Sequence, residues 1–238
     1  MNLGIRSKTA LVAASSKGLG RGCAEALAGE GANVVICARH HEELEKTAQF
    51  IEKKTGSEVL AVHADVTDPD HIIQTVDAAT QRFGGIDILV TNAGGPPAGF
   101  FDDFDDEIWE MAFRLNFLSS VRLIRKVLPH MRGSGWGRII NITSFSVKEP
   151  INNLILSNSI RASVHGLAKT LSRQEAGNGI TVNNVMPGFT RTDRVEELVI
   201  KPGRAAGKSE KEVLAEAAAG IPAGRIGTPE ELGALVAF

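Results

Sequence analysis

The 238-residue sequence predicts one α/β domain: a doubly wound parallel sheet with helices on both faces, three layers in all. Three observations predict it. Short apolar, β-branched runs alternate with amphipathic, helix-length segments as far as about residue 185. A glycine-bearing turn joins the first run directly to the first helical pattern. Hydrophobic residues make up 43 % of the chain, enough for a core, and no repeat, low-complexity tract or linker divides it.

The elements follow in order. Thr9–Ala14 is a short apolar strand. Gly18–Glu30 sets Leu19, Cys23, Ala26 and Leu27 on one helical face. Asn33–Cys37 is a second strand, and Glu42–Lys54 an amphipathic helix that Gly56 closes. Glu58–His63 is the third strand. Pro69 opens the next helix and Gly84-Gly85 ends it. Asp87–Thr91 is the fourth strand. Asp105–Arg132 reads as one long helix with Asp105 or Asp106 as its cap. Arg138–Ile142, a helix over Ser157–Ala176 and a sixth strand, Ile180–Val185, complete the pattern. Right-handed crossovers then put a ligand site beyond the carboxyl ends of the strands, where the winding reverses.

Composition narrows the partners. A net charge of −2 offers no electrostatic basis for nucleic-acid binding. No apolar run approaches membrane-spanning length, and Met1–Lys8 lacks a signal core, so a cytoplasmic, soluble protein is expected. Cys23 and Cys37 show no metal or redox spacing and read as core thiols. The six histidines, adjacent His40 and His41 included, show no ligand spacing, so no metal site is expected.

The first turn reads Ala13-Ala14-Ser15-Ser16-Lys17-Gly18-Leu19-Gly20 and opens straight into a helix. Such a turn can be plain punctuation. Between a first strand and a first helix it also lets backbone N–H groups approach a pyrophosphate, as in a Rossmann-type dinucleotide site. Ser15, Ser16, Lys17, Gly18, Leu19 and Gly20 are therefore candidate cofactor contacts. An NAD site places an acid about 20 residues further on, for the ribose hydroxyls. Arg39 stands there instead. With Lys17 it offers two cations to a 2′-phosphate, which favours NADP(H) over NAD(H).

At this point the sequence resembles the short-chain dehydrogenase/reductase family, in its 3-oxoacyl-(acyl-carrier-protein) reductase-like branch. The landmarks fall in order along nearly the whole chain: Gly18 and Gly20, Asp65-Val66, Asn92-Ala93-Gly94, Asn116, Ser144, Pro187-Gly188, then Thr190 and Thr192. The resemblance implies cofactor contacts from Asp65, Val66, Asn92, Ala93, Gly94, Pro187, Gly188, Phe189, Thr190 and Thr192. It implies a water held by Asn116 and a substrate oxygen positioned by Ser144. It also implies a mobile substrate cover over about residues 192–221 and a homotetramer or dimer formed through the two long helices.

Three departures matter. Ala14 replaces the family's first glycine, which is tolerable if its φ stays negative. The family's catalytic Tyr and Lys fall on Ser157 and Arg161, and the chain contains no tyrosine anywhere. A serine hydroxyl is far less acidic than a phenol, and Arg161 stays protonated, suited to a forked ribose contact. Losing a general acid removes about 10²–10⁴ in rate. Lys148 is a conceivable substitute acid, though an exposed loop lysine is the plainer reading. Thirdly, the chain stops inside the family's C-terminal helix, before a seventh strand, so missing residues or truncation are expected; were the end natural, the sheet edge beyond strand six would lie open.

The expected function is NADP(H)-dependent reduction of a carbonyl, most like a 3-oxoacyl thioester, with Asn116, Ser144, Ser157 and Arg161 as the catalytic set. Substrates would be small molecules or acyl thioesters. Two alternatives stand beside it: a catalytically silent dinucleotide-binding protein, and an enoyl or dienoyl thioester reductase. Phe100–Asp106 reads as loop and cap, and Trp109 and Trp136 as core or interface aromatics.

Overall fold

The computed structural model describes residues 2–238. Six strands form one parallel sheet: β1 (Thr9–Ala13), β2 (Asn33–Ala38), β3 (Val59–His63), β4 (Ile88–Thr91), β5 (Gly137–Ile142) and β6 (Ile180–Val185). Their order is β3-β2-β1-β4-β5-β6, so the winding reverses between β1 and β4. This is the expected doubly wound arrangement. The helices between them are α1 (Gly18–Gly29), α2 (His41–Thr55), α3 (Pro69–Phe83), α4 (Asp106–Phe113), α5 (Ser119–Ser134) and α6 (Ile155–Gln174). After β6 come short α7 (Asp193–Val195) and α8 (Lys201–Ala205), then α9 (Glu210–Ala219) and α10 (Pro229–Ala237).

Period-two alternation divides β1 between two cores. Ala10 and Val12 pack with Leu27, Ile36, Leu44 and Val236, beneath α1, α2 and α10. Leu11 and Ala13 pack with Val35, Leu89, Leu123 and Ile139, beneath α3 and α5. A strand buried on both faces reads as an unbroken apolar run, which Thr-Ala-Leu-Val-Ala is.

Two local features differ from expectation, and one more was not foreseen. The predicted single helix Asp105–Arg132 is interrupted by a π turn at Arg114–Leu118, and it runs on to Ser134, where Gly135 adopts the left-handed conformation. Periodicity cannot reveal one extra residue in a turn. Ala14 has φ +49°, contrary to the expected negative value. Asn92 Nδ2 donates to the carbonyls of both Ala13 (3.2 Å) and Ala14 (3.1 Å), which fixes that conformation from the end of β4. Lastly, α10 lies directly on α1, at a crossing where Gly22 and Gly233 meet backbone to backbone. Among the described residues β6 pairs only with β5, leaving its outer edge unpaired.

Candidate functional site

The loops beyond the carboxyl ends of the strands enclose a cavity of about 430 Å³. That lies within the ~300–1,000 Å³ typical of small-molecule sites. It runs from Arg39, His40, Asp65 and Val66, past the turn at Ser16–Leu19 and the loop Asn92–Gly95, to Ser144, Ser157, Arg161 and Phe189.

The turn end is built to receive an anion. Lys17, the residue before α1, makes no capping hydrogen bond through its side chain, and the first turn of α1 holds no acid. The leading N–H groups therefore face the cavity mouth without a side-chain acceptor. Gly18 has φ +57°, which only glycine adopts freely. A Cβ on Gly94 would meet nothing within 4 Å, so the opposite wall leaves room for a ligand. These residues fit a dinucleotide.

The adenosine end is held by hydrogen bonds that also dispose of its acids. Ser16 Oγ donates to Glu43 (2.8 Å), and Thr47 Oγ1 donates to the Ser16 carbonyl (2.6 Å). Lys17 Nζ lies 2.6 Å from Asp193 and 3.8 Å from Glu43. The hydrogen bond to Asp193 raises its pKa despite some burial. Burial pushes the Asp65 carboxyl up, but the Thr67 amide and hydroxyl, aided by nearby Arg39 and His71, hold it below the usual range.

At the other end, Ser157 and Arg161 sit one helical turn apart on α6 and both line the cavity. Arg161 is buried. Its Nη1 donates to the Ile142 (3.2 Å) and Thr143 (3.3 Å) carbonyls, and its Nη2 to those of Ala93 (3.4 Å) and Gly94 (3.5 Å). Burial, then the neighbouring Arg194, push its pKa down to about 10. It therefore remains charged at neutral pH. Ser144 Oγ accepts from the Ser146 amide (3.2 Å) and lines the cavity. Phe145 and Phe189 pack with ring centroids 5.9 Å apart.

Most of the residues singled out from sequence line this cavity: Ser16, Lys17, Gly18, Leu19, Arg39, Asp65, Val66, Asn92, Ala93, Gly94, Ser144, Ser157, Arg161, Pro187, Gly188, Phe189, Thr190 and Thr192. Three do not. Ser15 is fully buried; its hydroxyl donates to the Val12 carbonyl and accepts from the Cys37 amide, tying β1 to β2. Gly20 serves packing, since a Cβ there would lie 2.3 Å from the Ala14 carbonyl oxygen. Asn116 stands behind the wall in the π turn and donates to the Gly94 carbonyl (2.9 Å), while its buried Oδ1 has no partner among the described residues. Lys148 is exposed and lies outside the lining.

The sequence reading missed Gly95, Phe145 and Arg194. The double glycine Gly94-Gly95 was the available signal for a close approach. Nothing in the 192–221 segment marked Arg194. Its Nη2 donates to the Pro96 carbonyl (2.8 Å), and a Cβ on Gly95 would lie 2.7 Å from its Nε. Among the described residues no group of His, Cys, Asp and Glu could hold a metal ion, and no helix is long and apolar enough to cross a membrane.

Comparison with known proteins places this geometry among relatives. Residues 8–202 match the family model described as short chain dehydrogenase. The 3-oxoacyl-(acyl-carrier-protein) reductase FabG of Vibrio cholerae is 35 % identical over 238 residues, covering 99 % of this chain and 91 % of its own. The crystal structure of L-sorbose reductase from Gluconobacter frateurii, complexed with NADPH and L-sorbose, is similar with TM-score 0.96. It is 33 % identical, covering 100 % of this chain and 91 % of that one. An NAD⁺-bound xylitol dehydrogenase is similar with TM-score 0.90 and 25 % identity, covering 98 % and 92 %.

Proposed function

The chain belongs to the short-chain dehydrogenase family and is a dinucleotide-dependent oxidoreductase of the carbonyl/alcohol couple; from that premise we propose that it uses NADP(H) to reduce a 3-oxoacyl compound or a related carbonyl. One observation carries the choice of cofactor. Where β2 ends, Arg39 and His40 line the cavity, and the carboxylates nearby are already engaged: Asp65 accepts from the Thr67 amide and hydroxyl, and Glu43 is held by Ser16 and Lys17. A ribose diol has no acid to bind there, whereas a 2′-phosphate meets Arg39.

When bound, the reduced nicotinamide supplies the hydrogen and the electron pair that the carbonyl carbon gains. The protein handles the oxygen. Ser144 orients it. The Arg161 charge and the Ser157 hydroxyl stabilise negative charge developing on it, in a site where burial strengthens the effect. The proton comes from water, which the Ser144 and Ser157 hydroxyls on the cavity wall can hold. This replaces a phenolic acid by electrostatic stabilisation, a slower arrangement by about 10²–10⁴. The exposed Phe100, Phe101, Met111 and Phe113 on and before α4 supply apolar surface for self-association as a dimer or tetramer.

A charge-assisted contact to phosphate contributes about 1.5–3 kcal/mol. Replacing Arg39 by Ser should therefore weaken NADPH binding by about 10–150-fold and leave NADH unchanged, read by nicotinamide fluorescence titration. Equal loss for both cofactors would overturn the cofactor assignment. Substrate-dependent NADPH oxidation that Ser144→Ala abolishes supports turnover. Tight NADPH binding without oxidation of any carbonyl would instead support a silent dinucleotide-binding role, which the commitment of Arg161 to main-chain carbonyls favours.

A further inference from the structure

The charges around the nicotinamide end of the cavity do not balance. Arg161 is buried, and the charge of Arg194 acts on it. Its four hydrogen bonds run to main-chain carbonyls, so its donors are mostly satisfied while its charge has no carboxylate partner. Arg194 brings a second guanidinium to the same place. Arg161 reaches the Gly94 carbonyl, and Arg194 lies flat against Gly95, where any side chain would collide with it. The two groups thus flank adjacent residues, whose Cα atoms are about 3.8 Å apart.

One nearby acid is engaged elsewhere and the other meets Arg194 from the solvent side. Asp193 pairs with Lys17, and Glu197, exposed, accepts from Nη1 of Arg194 (2.9 Å). Arg194 makes two contacts through its guanidinium, leaving other N–H groups of the five that a guanidinium carries. Two like charges gathered in a half-buried cavity repel each other and lose hydration. An anion between them relieves both penalties. Around them the lining is apolar, with Phe145, Ile151, Leu154, Phe189, Val195 and Leu198.

We propose that this end of the cavity takes an anionic substrate, an oxo acid whose free carboxylate is recognised by Arg194 in the field of Arg161 while an apolar chain packs on Ile151, Leu154 and Leu198. This rests on the oxidoreductase reading and narrows it from 3-oxoacyl compounds in general to the free acid rather than a neutral ester or thioester.

The test compares acetoacetate with methyl acetoacetate, which differ in charge but not in the reacting carbonyl. Binding is read from the thermal-unfolding midpoint of the protein titrated with each, with and without saturating NADPH. The acid should bind at least about tenfold more tightly than the ester, ~1.4 kcal/mol. Arg194→Gln should bring the two within about twofold, and Arg194→Lys should keep part of the preference, because a point charge survives without the fork. An ester that binds as well as the acid overturns the proposal, as does an acid preference that survives Arg194→Gln. Failure of NADPH itself to shift the midpoint overturns the cofactor reading instead, and the acid–ester comparison without cofactor still decides this one.

Discussion

Gly233 in α10 packs on Gly22 in α1, and a Cβ built on Gly233 would stand 2.2 Å from the Gly22 carbonyl oxygen and 2.7 Å from its carbon. The reciprocal Cβ on Gly22 would stand 2.3 Å from the Pro229 carbonyl oxygen. A carbon packed against a carbonyl oxygen needs about 3.3 Å. Either substitution must therefore move the helices apart by roughly 1 Å. Backbone cannot rotate away as a side chain can, and overpacking of this kind costs about 1–3 kcal/mol. In a chain of this size each kcal/mol lowers the melting midpoint by about 2–4 °C.

Gly233→Ala should thus melt about 2–12 °C below the parent, followed by circular dichroism or calorimetry. Gly22→Ala should lose a similar amount. The double variant should lose much less than the combined single effects, since one separation accommodates both methyl groups. Gly166→Ala is the control. Gly166 is exposed inside α6 with nothing within 4 Å of a Cβ, so alanine there should stabilise by about 0.5–1 kcal/mol. If Gly233→Ala behaves like Gly166→Ala, or the double variant is strictly additive, the close crossing of α1 and α10 is wrong.

Ser157→Tyr with Arg161→Lys should raise carbonyl reduction by about 10²–10⁴, measured as NADPH oxidation; no gain in a variant that still binds NADPH would mean that α6 does not present these positions to the reacting carbonyl. Asp193→Asn should release Lys17, bring its pKa back towards the ordinary lysine value and tighten NADPH binding severalfold over NADH, about 1 kcal/mol; unchanged selectivity would show that Lys17 does not reach the phosphate. Burial, then Lys148, hold the His165 imidazole below its ordinary ~6.5. The unfolded chain therefore binds that proton first as pH falls, and this group's contribution to stability declines as pH drops below ~6.5 towards the folded value. Lys148→Ala should shift the NMR titration of His165 upward and shrink that decline; a titration that does not move would remove Lys148 from the account.

The fold was legible where one periodicity held through an element. All six strands and the helices that cover them follow from alternating runs with glycine and proline at their ends. The π turn at Arg114–Leu118 was not, because it inserts its extra residue without breaking the apolar pattern. The cavity wall was legible as the strand ends from topology, which brings those ends together whatever their side chains, and residue by residue from the family resemblance. Ser15 and Gly20 show the limit. Both belong to the turn that topology places at the cofactor, yet one closes a hydrogen bond between strands and the other makes space for the Ala14 carbonyl. Arg194 was illegible because it reaches the wall from a segment without periodicity.

The strand ends explain why arginine can stand at position 161. A parallel strand that stops at a cavity leaves carbonyls without partners, and water entering to satisfy them would compete with a substrate. Asn92 answers for Ala13 and Ala14 at the end of β1. Arg161 answers for Ile142 and Thr143 after β5 and for Ala93 and Gly94 after β4. An ammonium has three donors on a single point and could not span both strand ends; a planar fork can. The guanidinium therefore joins β4 to β5 through the backbone and leaves its charge, more than its N–H groups, to act on whatever occupies the cavity. A charge held this rigidly stabilises an oxyanion without moving, and it has little capacity to hand over a proton. The two properties belong together: the side chain that closes the wall is for the same reason a poor source of the proton.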